Sequence, residues 1–174
     1  QLMLQLLAKA EDPFSGGRSY YAHPSSLAEN FPKIIHQSSA TGMQAIPTTG
    51  VAQGIQYIEN FKLQEFENNP VIVCSLGDNS VTEGEVSEAF QFAALHQLPI
   101  IFLVQDNEWG ISVTKDEART SDAYDFAAGF VGLNRMKVDG TDFEASFLAM
   151  KKAVDFVRTE RKPILVCAKT VLIG

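Results

Sequence analysis

Two short polar stretches carry the residue types that could do chemistry. One is Gly77-Asp78-Asn79-Ser80, continuing through Val81-Thr82-Glu83-Gly84, and the other is Gln105-Asp106-Asn107-Glu108-Trp109-Gly110. Each follows an apolar run, residues 71–76 in the first case and 100–104 in the second. Asp78 offers a carboxylate oxygen, Asn107, 29 residues further on, an amide oxygen, and Trp109 its main-chain carbonyl. Three hard oxygen donors with room left over suit Mg²⁺, whose octahedron is completed by water and substrate phosphates. Backbone N–H groups at Asn79 and Ser80, just ahead of a helical segment, would face an anion. Together these residues read as a Mg²⁺-diphosphate site. Singly, each stretch has a plainer reading, a turn whose Asp caps the next helix; their pairing on neighbouring strands favours chemistry. At a strand end, Asp78 is expected to lie outside the core.

The elements that must hold these stretches follow from periodicity. Residues 71–76 (Val-Ile-Val-Cys-Ser-Leu) and 100–104 (Ile-Ile-Phe-Leu-Val) read as strands buried on both faces. Between them a turn over 77–83 leads into a helix over 84–98, with Val86, Ala89, Phe90, Ala93 and Ala94 on one face. A short helix over 121–129 is capped by Ser121 or Asp122, a strand follows over 135–138, a long helix over 142–160 and a last strand over 164–170. This alternation predicts an α/β fold, a parallel sheet with helices on both faces, with ligands at the carboxyl ends of the strands. Upstream, residues 1–9 show helical spacing, and a long loop runs from the break at Asp12-Pro13-Phe14-Ser15-Gly16-Gly17-Arg18 to about Thr41. Such a loop is usually functional. Residues 42–66 are helical again and begin with Gly42, Ala45, Thr48, Thr49, Gly50, Ala52 and Gly54. That small-residue face suits a buried helix at a domain or subunit interface.

Composition bounds the rest. The 174 residues suit one domain, and a hydrophobic fraction of 45% is enough for a substantial core. A net charge of -7 argues against general nucleic-acid binding and against an anionic membrane surface. Cys74 and Cys167 sit in apolar runs and read as reduced core thiols; without a Cys-x-x-Cys pair, zinc is not expected. No run of 18 apolar residues marks a membrane span, and no signal or transit peptide is visible. The default location is the cytoplasm, or the mitochondrial matrix for a eukaryotic source whose presequence has been removed. The first residue is Gln1 and the chain stops at Gly174 directly after a strand, so a single domain over 1–174, cut at both ends, is expected. Of the three histidines, His96 ends an amphipathic helix and reads as a surface residue, while His23 follows Gly-Gly-Arg in the long loop and reads as an ordinary hydrogen-bonding residue.

Gly77-Asp78 followed by Asn107 resembles the diphosphate-binding motif of thiamine-diphosphate enzymes. The wider string GDNSVTEGEVSEAFQFAALHQLPIIFLVQDNEWGIS, with the earlier DPFSGGR and SSATGMQAIP and the terminal VCAKTVLIG, is similar to the E1 alpha subunits of pyruvate and branched-chain 2-oxoacid dehydrogenases. The resemblance covers nearly the whole chain. It implies a thiamine-diphosphate-binding fold and thiamine diphosphate with Mg²⁺ as cofactors. It makes Asp78, Asn107 and the Trp109 carbonyl the metal ligands, with Asn79, Ser80 and Gln105 on the diphosphate. Ser39 to Gly42 would then touch the aminopyrimidine ring. The activity implied is oxidative decarboxylation of a 2-oxoacid, 2-oxoisovalerate or pyruvate, with acyl transfer to a lipoyl group. Implied partners are an E1 beta subunit, or a beta half fused on the same chain, and a lipoyl-bearing E2, in an α₂β₂ assembly or a dimer of fused chains. A diphosphate-binding arginine is expected upstream of Gln1, a histidine-bearing loop after Gly174, and the activating glutamate on the beta part.

Two positions depart from the family pattern. Asn79 replaces the second glycine of the motif, which requires a backbone conformation that Asn can adopt. Gln105 stands where branched-chain members often carry arginine, and an amide donates a hydrogen bond without charge. The competing readings are a transketolase-like enzyme with the same metal motif and a non-catalytic α/β scaffold whose Asp and Asn are only caps. A dinucleotide-binding domain and a P-loop are disfavoured, since neither Gly-x-Gly-x-x-Gly after a strand nor Gly-Lys-Ser/Thr occurs.

Overall fold

The computed structural model describes residues 1–20 and 22–172; Ile173 and Gly174, which close the VCAKTVLIG segment, lie outside the described residues. The chain folds as two compact units, Gln1–Gln44 and Ala45–Gly174.

In the first unit the expected helix is a single turn and a half, α1 (Leu2–Leu6). The loop beyond it is organised by the buried Asp12. Its carboxylate accepts from the N–H groups of Phe14 (3.1 Å), Ser15 (3.0 Å) and Gly17 (3.1 Å) and from the Ser15 hydroxyl (2.7 Å). Gly17 has a φ of +73°, and a Cβ there would lie 2.6 Å from the Ala8 carbonyl oxygen, so both conformation and space demand glycine. The Gln5 side chain ties the loop down from the other side, donating to the His23 carbonyl (3.1 Å) and accepting from the His23 N–H (3.2 Å). Ser26 and Ile34 form an isolated antiparallel bridge.

The second unit is the expected α/β sheet. Its elements in chain order are α2 (Ala45–Asn60), β1 (Ile72–Gly77), α3 (Gly84–His96), β2 (Ile100–Asp106), α4 (Lys115–Ala118), α5 (Ala123–Phe126), β3 (Asn134–Asp139), α6 (Phe143–Glu160) and β4 (Ile164–Lys169). The four strands are parallel in the order β1-β2-β4-β3. α2, α3 and α5 pack on one face around Phe90 and Phe102, whose rings meet edge-on at 4.7 Å. α6 covers the other face through Ala153 and Val157 against Ile101, Ile164 and Val166. α6 is bounded by the Asp142 carboxylate, which accepts from the Ala145 N–H (3.0 Å), and by Arg161 in the left-handed region.

Three expectations change. β1 is not buried on both faces: Ile72, Cys74 and Leu76 are buried while Val73, Ser75 and Gly77 are exposed. The reason is its place at the edge of the sheet, where α6, which packs on β2, β4 and β3, does not cover it. The segment expected to be helical over 42–66 is helical from Ala45 to Asn60 only, and its small residues split between two faces. Ala45, Thr48, Thr49 and Ala52 are buried, whereas a Cβ on Gly50 or Gly54 would meet nothing within 4 Å. Finally, Thr114-Lys115-Asp116-Glu117 forms a capping box that starts the unexpected helix α4.

The two thiols are buried as expected. Burial pushes Cys74 up to about 12 against a hydrogen bond with Thr48. Burial, reinforced by the negative charge of Asp106, pushes Cys167 up to about 11, so neither is a thiolate at neutral pH. Among the described residues no helix is long and apolar enough to cross a membrane.

Candidate functional site

The carboxyl ends of β1, β2 and β4 build the site of the second unit. The β1–β2 register ends with Gly77 opposite Gln105, so Asp78 and Asp106 leave the sheet side by side. On the far side of β2, Asp106 lies opposite Lys169 at the end of β4. After Asp78 the chain turns at once into a short 3-10 helix, Asp78–Thr82, held by the Ser80 hydroxyl donating to the Gly77 carbonyl (2.6 Å). After Asp106, Asn107 folds its side-chain oxygen onto the Trp109 N–H (3.0 Å), and Glu108 takes a φ of +64°. A tight loop follows, closed by Gly110 N–H to Val113 O (2.8 Å) and Lys115 N–H to Glu108 O (2.8 Å). That loop and α4 deliver Arg119 back to the strand ends.

Arg119 is the centre of the charge arrangement. Its side chain is 4% exposed, and its Nη2 lies 2.5 Å from Asp78 Oδ2 and 3.0 Å from Asp106 Oδ1. The second contact is an aligned hydrogen bond; the first is an ion pair, and Asp78 Oδ2 has no hydrogen-bond partner among the described residues. Lys169 Nζ reaches the other Asp106 oxygen (2.7 Å) and also Glu108 (3.3 Å), which in turn pairs with Lys115 (2.9 Å). Burial drives the Asp106 carboxyl up, but the hydrogen bond and charge of Lys169, joined by Arg119, more than offset it and hold the group below the usual range. At Asp78 burial wins: it pushes the carboxyl up, Arg119 opposes it only in part, and the charge of Asp106 adds to the rise. Asp78, expected outside the core, is thus 2% exposed, because the loop carrying Arg119 folds over the strand end.

The remaining expected residues fall as follows. Asn107 is half-buried and Trp109 exposed. Asn79 needs no left-handed backbone, since it sits inside the 3-10 turn and is absent from the residues with positive φ. Its side chain occupies the space over Gly110, where any Cβ would collide with it, and its Oδ1 is a buried acceptor without a partner among the described residues. Gln105 projects from the opposite sheet face to Asp106, as strand alternation demands, and accepts from the Ser75 hydroxyl (3.4 Å). Ser39 and Gly42 belong to the first unit, where Ser39 Oγ lies 3.1 Å from His23 Nε2 and Gly42 has a φ of +79°.

Chemically, the segments that leave β1 and β2 carry oxygen donors: a carboxylate at Asp78, amides at Asn79 and Asn107, the latter accepting from the Trp109 N–H, and the main-chain carbonyl of Trp109. Among the described residues no three His, Cys, Asp or Glu side chains form a metal-binding group, so a cation here would draw on amide and main-chain oxygens, the set preferred by hard divalent ions. Two buried oxygens without hydrogen-bond partners among the described residues, Asn79 Oδ1 and the Asp78 Oδ2 that Arg119 neutralises, fit such a guest. Sequence reasoning missed Asp106, Arg119 and Lys169 as members of this site. Asp106 and Lys169 carried the same strand-end signal as Asp78; for Arg119 the only signal was the capping box that begins α4.

The sequence matches the family described as "Dehydrogenase E1 component" over residues 1–173. The chain belongs to the dehydrogenase E1 component family. Among E1 relatives, the 2-oxoisovalerate dehydrogenase subunit alpha of Bacillus subtilis is 30% identical, over 95% of this chain and 47% of its own length. The pyruvate dehydrogenase E1 component subunit alpha of Rickettsia conorii is 31% identical, over 69% of this chain and 36% of that subunit. This E1 chain therefore spans less than half the length of either relative. A transketolase from Leishmania mexicana superposes with a TM-score of 0.70 at 19% identity, over 90% of this chain and 23% of the transketolase. At that identity the shared property is the fold, and it is the fold expected for an E1 chain of this sequence.

Proposed function

We propose that this chain holds the Mg²⁺-diphosphate end of thiamine diphosphate in the E1 component of a 2-oxoacid dehydrogenase. The observation that carries the reading is the neighbouring position of Asp78 and the Asp106-Asn107 turn at adjoining strand ends, in a chain of the E1 family. Asp78, Asn107 and the Trp109 carbonyl would hold the metal. Asn79 and Ser80, at the start of the 3-10 turn, would offer backbone N–H groups to the diphosphate. Gln105 would contribute at most a neutral hydrogen bond. The aminopyrimidine roles of Ser39 and Gly42 rest on the family resemblance alone. When bound, thiamine diphosphate supplies the electron sink that decarboxylation of a 2-oxoacid needs. The protein's share is to anchor and orient it, with Lys169 and Arg119 holding the Asp106 carboxyl in its charged state beside the site.

The names of the relatives support 2-oxoisovalerate or pyruvate as the substrate class. Acyl transfer to a lipoyl-bearing E2, and a beta-type partner that completes the site, belong to the same reading. The open Gly50 and Gly54 face of α2 is the surface we assign to that partner, because it lets another backbone come close.

The test is calorimetric titration of thiamine diphosphate into the full-length protein with its beta-type part, with Mg²⁺ and with chelator. Metal-dependent binding is expected. Asp78→Asn, which keeps the shape but loses the charge, should remove that metal dependence. Binding that persists unchanged in this variant would sink the ligand assignment.

A further inference from the structure

Arg119 holds more hydrogen-bonding capacity than its surroundings use. A guanidinium carries five N–H donors. Only Nη2 is engaged, with Asp78 and Asp106, whereas Nε and Nη1 are buried and have no hydrogen-bond partner among the described residues. Buried, charged donors left unpaired are costly, and such groups in native proteins usually have an acceptor in some state. The two carboxylates also differ in what they need from Arg119. Asp106 has a second cation, Lys169, at 2.7 Å; Asp78 has Arg119 as its sole ion-pair partner among the described residues. If Arg119 moved away, Asp106 would remain neutralised and Asp78 would be left with a free negative charge.

We infer that Arg119 is a second binding residue of this site and that it exchanges anions: it neutralises Asp78 in the absence of metal and turns its guanidinium onto a diphosphate oxygen when a divalent cation takes Asp78. The inference rests on the diphosphate reading given above. A divalent cation on Asp78 would place like charge beside Nη2 and weaken its hold there. The anion that arrives with the metal offers several oxygens to the planar fork, the geometry for which arginine is suited. The same step supplies the positive charge that Gln105, neutral and on the opposite sheet face, does not. Arg119 is thus a competitor of the metal and an ally of the diphosphate, and these two roles predict effects of opposite sign.

The experiment uses two probes, Mg²⁺ alone and inorganic pyrophosphate at saturating Mg²⁺, titrated calorimetrically into the full-length protein and its Arg119→Gln and Arg119→Lys variants. In Arg119→Gln, Mg²⁺ alone should bind about tenfold tighter and pyrophosphate about tenfold weaker, the scale of one charge-assisted hydrogen bond. In Arg119→Lys the competing charge remains, so Mg²⁺ affinity should hold while pyrophosphate binding weakens, because the fork is gone. Affinities for both probes falling together in Arg119→Gln would mean a structural role and overturn the exchange. Unchanged pyrophosphate binding in Arg119→Lys would overturn it as well, and that variant decides alone if Arg119→Gln does not fold. Wild-type protein binding neither probe would instead remove the diphosphate reading itself, and this inference with it.

Discussion

Asp12 and Asp106 are both buried carboxyls held below their usual range, yet they are held in unlike ways. At Asp12 burial raises the value, and the Ser15 hydroxyl with the N–H groups of Phe14, Gly17 and Ser15 more than offsets it. Every partner is neutral and lies within five residues along the chain. At Asp106 the offset comes chiefly from two cations, Lys169 and Arg119, which are 63 and 13 residues away, with a smaller share from the nearby Glu108 N–H. The local arrangement uses small donors and is complete in itself. The long-range one gathers charge from three segments and leaves donors on Arg119 and an acceptor on Asn79 without hydrogen-bond partners among the described residues, with Arg119 the sole ion-pair partner of Asp78 there. A closed network of neutral groups fixes a loop, whereas an open network of charges is ready to receive something.

The contrast is broken most severely at Asp106. Asp106→Ala leaves buried Arg119 with Asp78 alone and the half-buried Lys169 with Glu108, and loss of the charge-assisted hydrogen bonds to Asp106 costs about 1.5–3 kcal/mol. Urea denaturation should register a loss of that size, and a loss under about 1 kcal/mol would mean that the charges relax into water far more readily than their burial implies. Next in size is Gly17→Ala, which combines left-handed backbone with collision against the Ala8 carbonyl and should cost at least about 1 kcal/mol by the same assay. The smallest effect belongs to Asp12→Asn, which keeps one acceptor. Hydrogen exchange should quicken at the Phe14, Ser15 and Gly17 amides while amides of the sheet are unaffected. The pH dependence sharpens the point. Because Asp12 is depressed in the folded state, its contribution is present above the unfolded value of about 3.9 and fades as pH falls through the lower folded value. Asp12→Asn should therefore flatten the acid limb of the stability profile.

Much of this was legible in the sequence, for reasons that differ by element. Residues 100–104 read as a buried strand and 164–170 as the last strand, and β2 and β4 are found there, buried through Ala168 because they lie at the centre of the sheet with helices on both faces. The run at 71–76 reads identically but alternates, since apolar composition does not reveal which strand lies at an edge. The placement of Asp78 and Asn107 at neighbouring strand ends was legible, because the strand–helix alternation of a parallel sheet fixes where its carboxyl ends lie. Arg119 was not, because its position depends on a loop whose shape is set by Glu108 with φ +64° and by the fit of Asn79 over Gly110. Glutamate is no signal for that backbone, and the Asn79–Gly110 fit joins residues that only the fold makes neighbours. The same fit accounts for the missing second glycine of the motif: Asn79 is accommodated by a glycine elsewhere.

The two edges of the sheet are unlike. β3 ends one side and carries Arg135 and Lys137, both within 5 Å of the Tyr124 ring centre; β1 ends the other with Ile-Val-Cys-Ser-Leu-Gly and no charge at all. Charged edge strands resist pairing with another molecule, and short uncharged ones rich in β-branched residues invite it. The sheet is therefore guarded on one side only. Whenever β1 is left bare, during synthesis or after partial unfolding, it is the direction from which aggregation would start, and a single lysine in place of the exposed Val73 is the least intrusive way to close it.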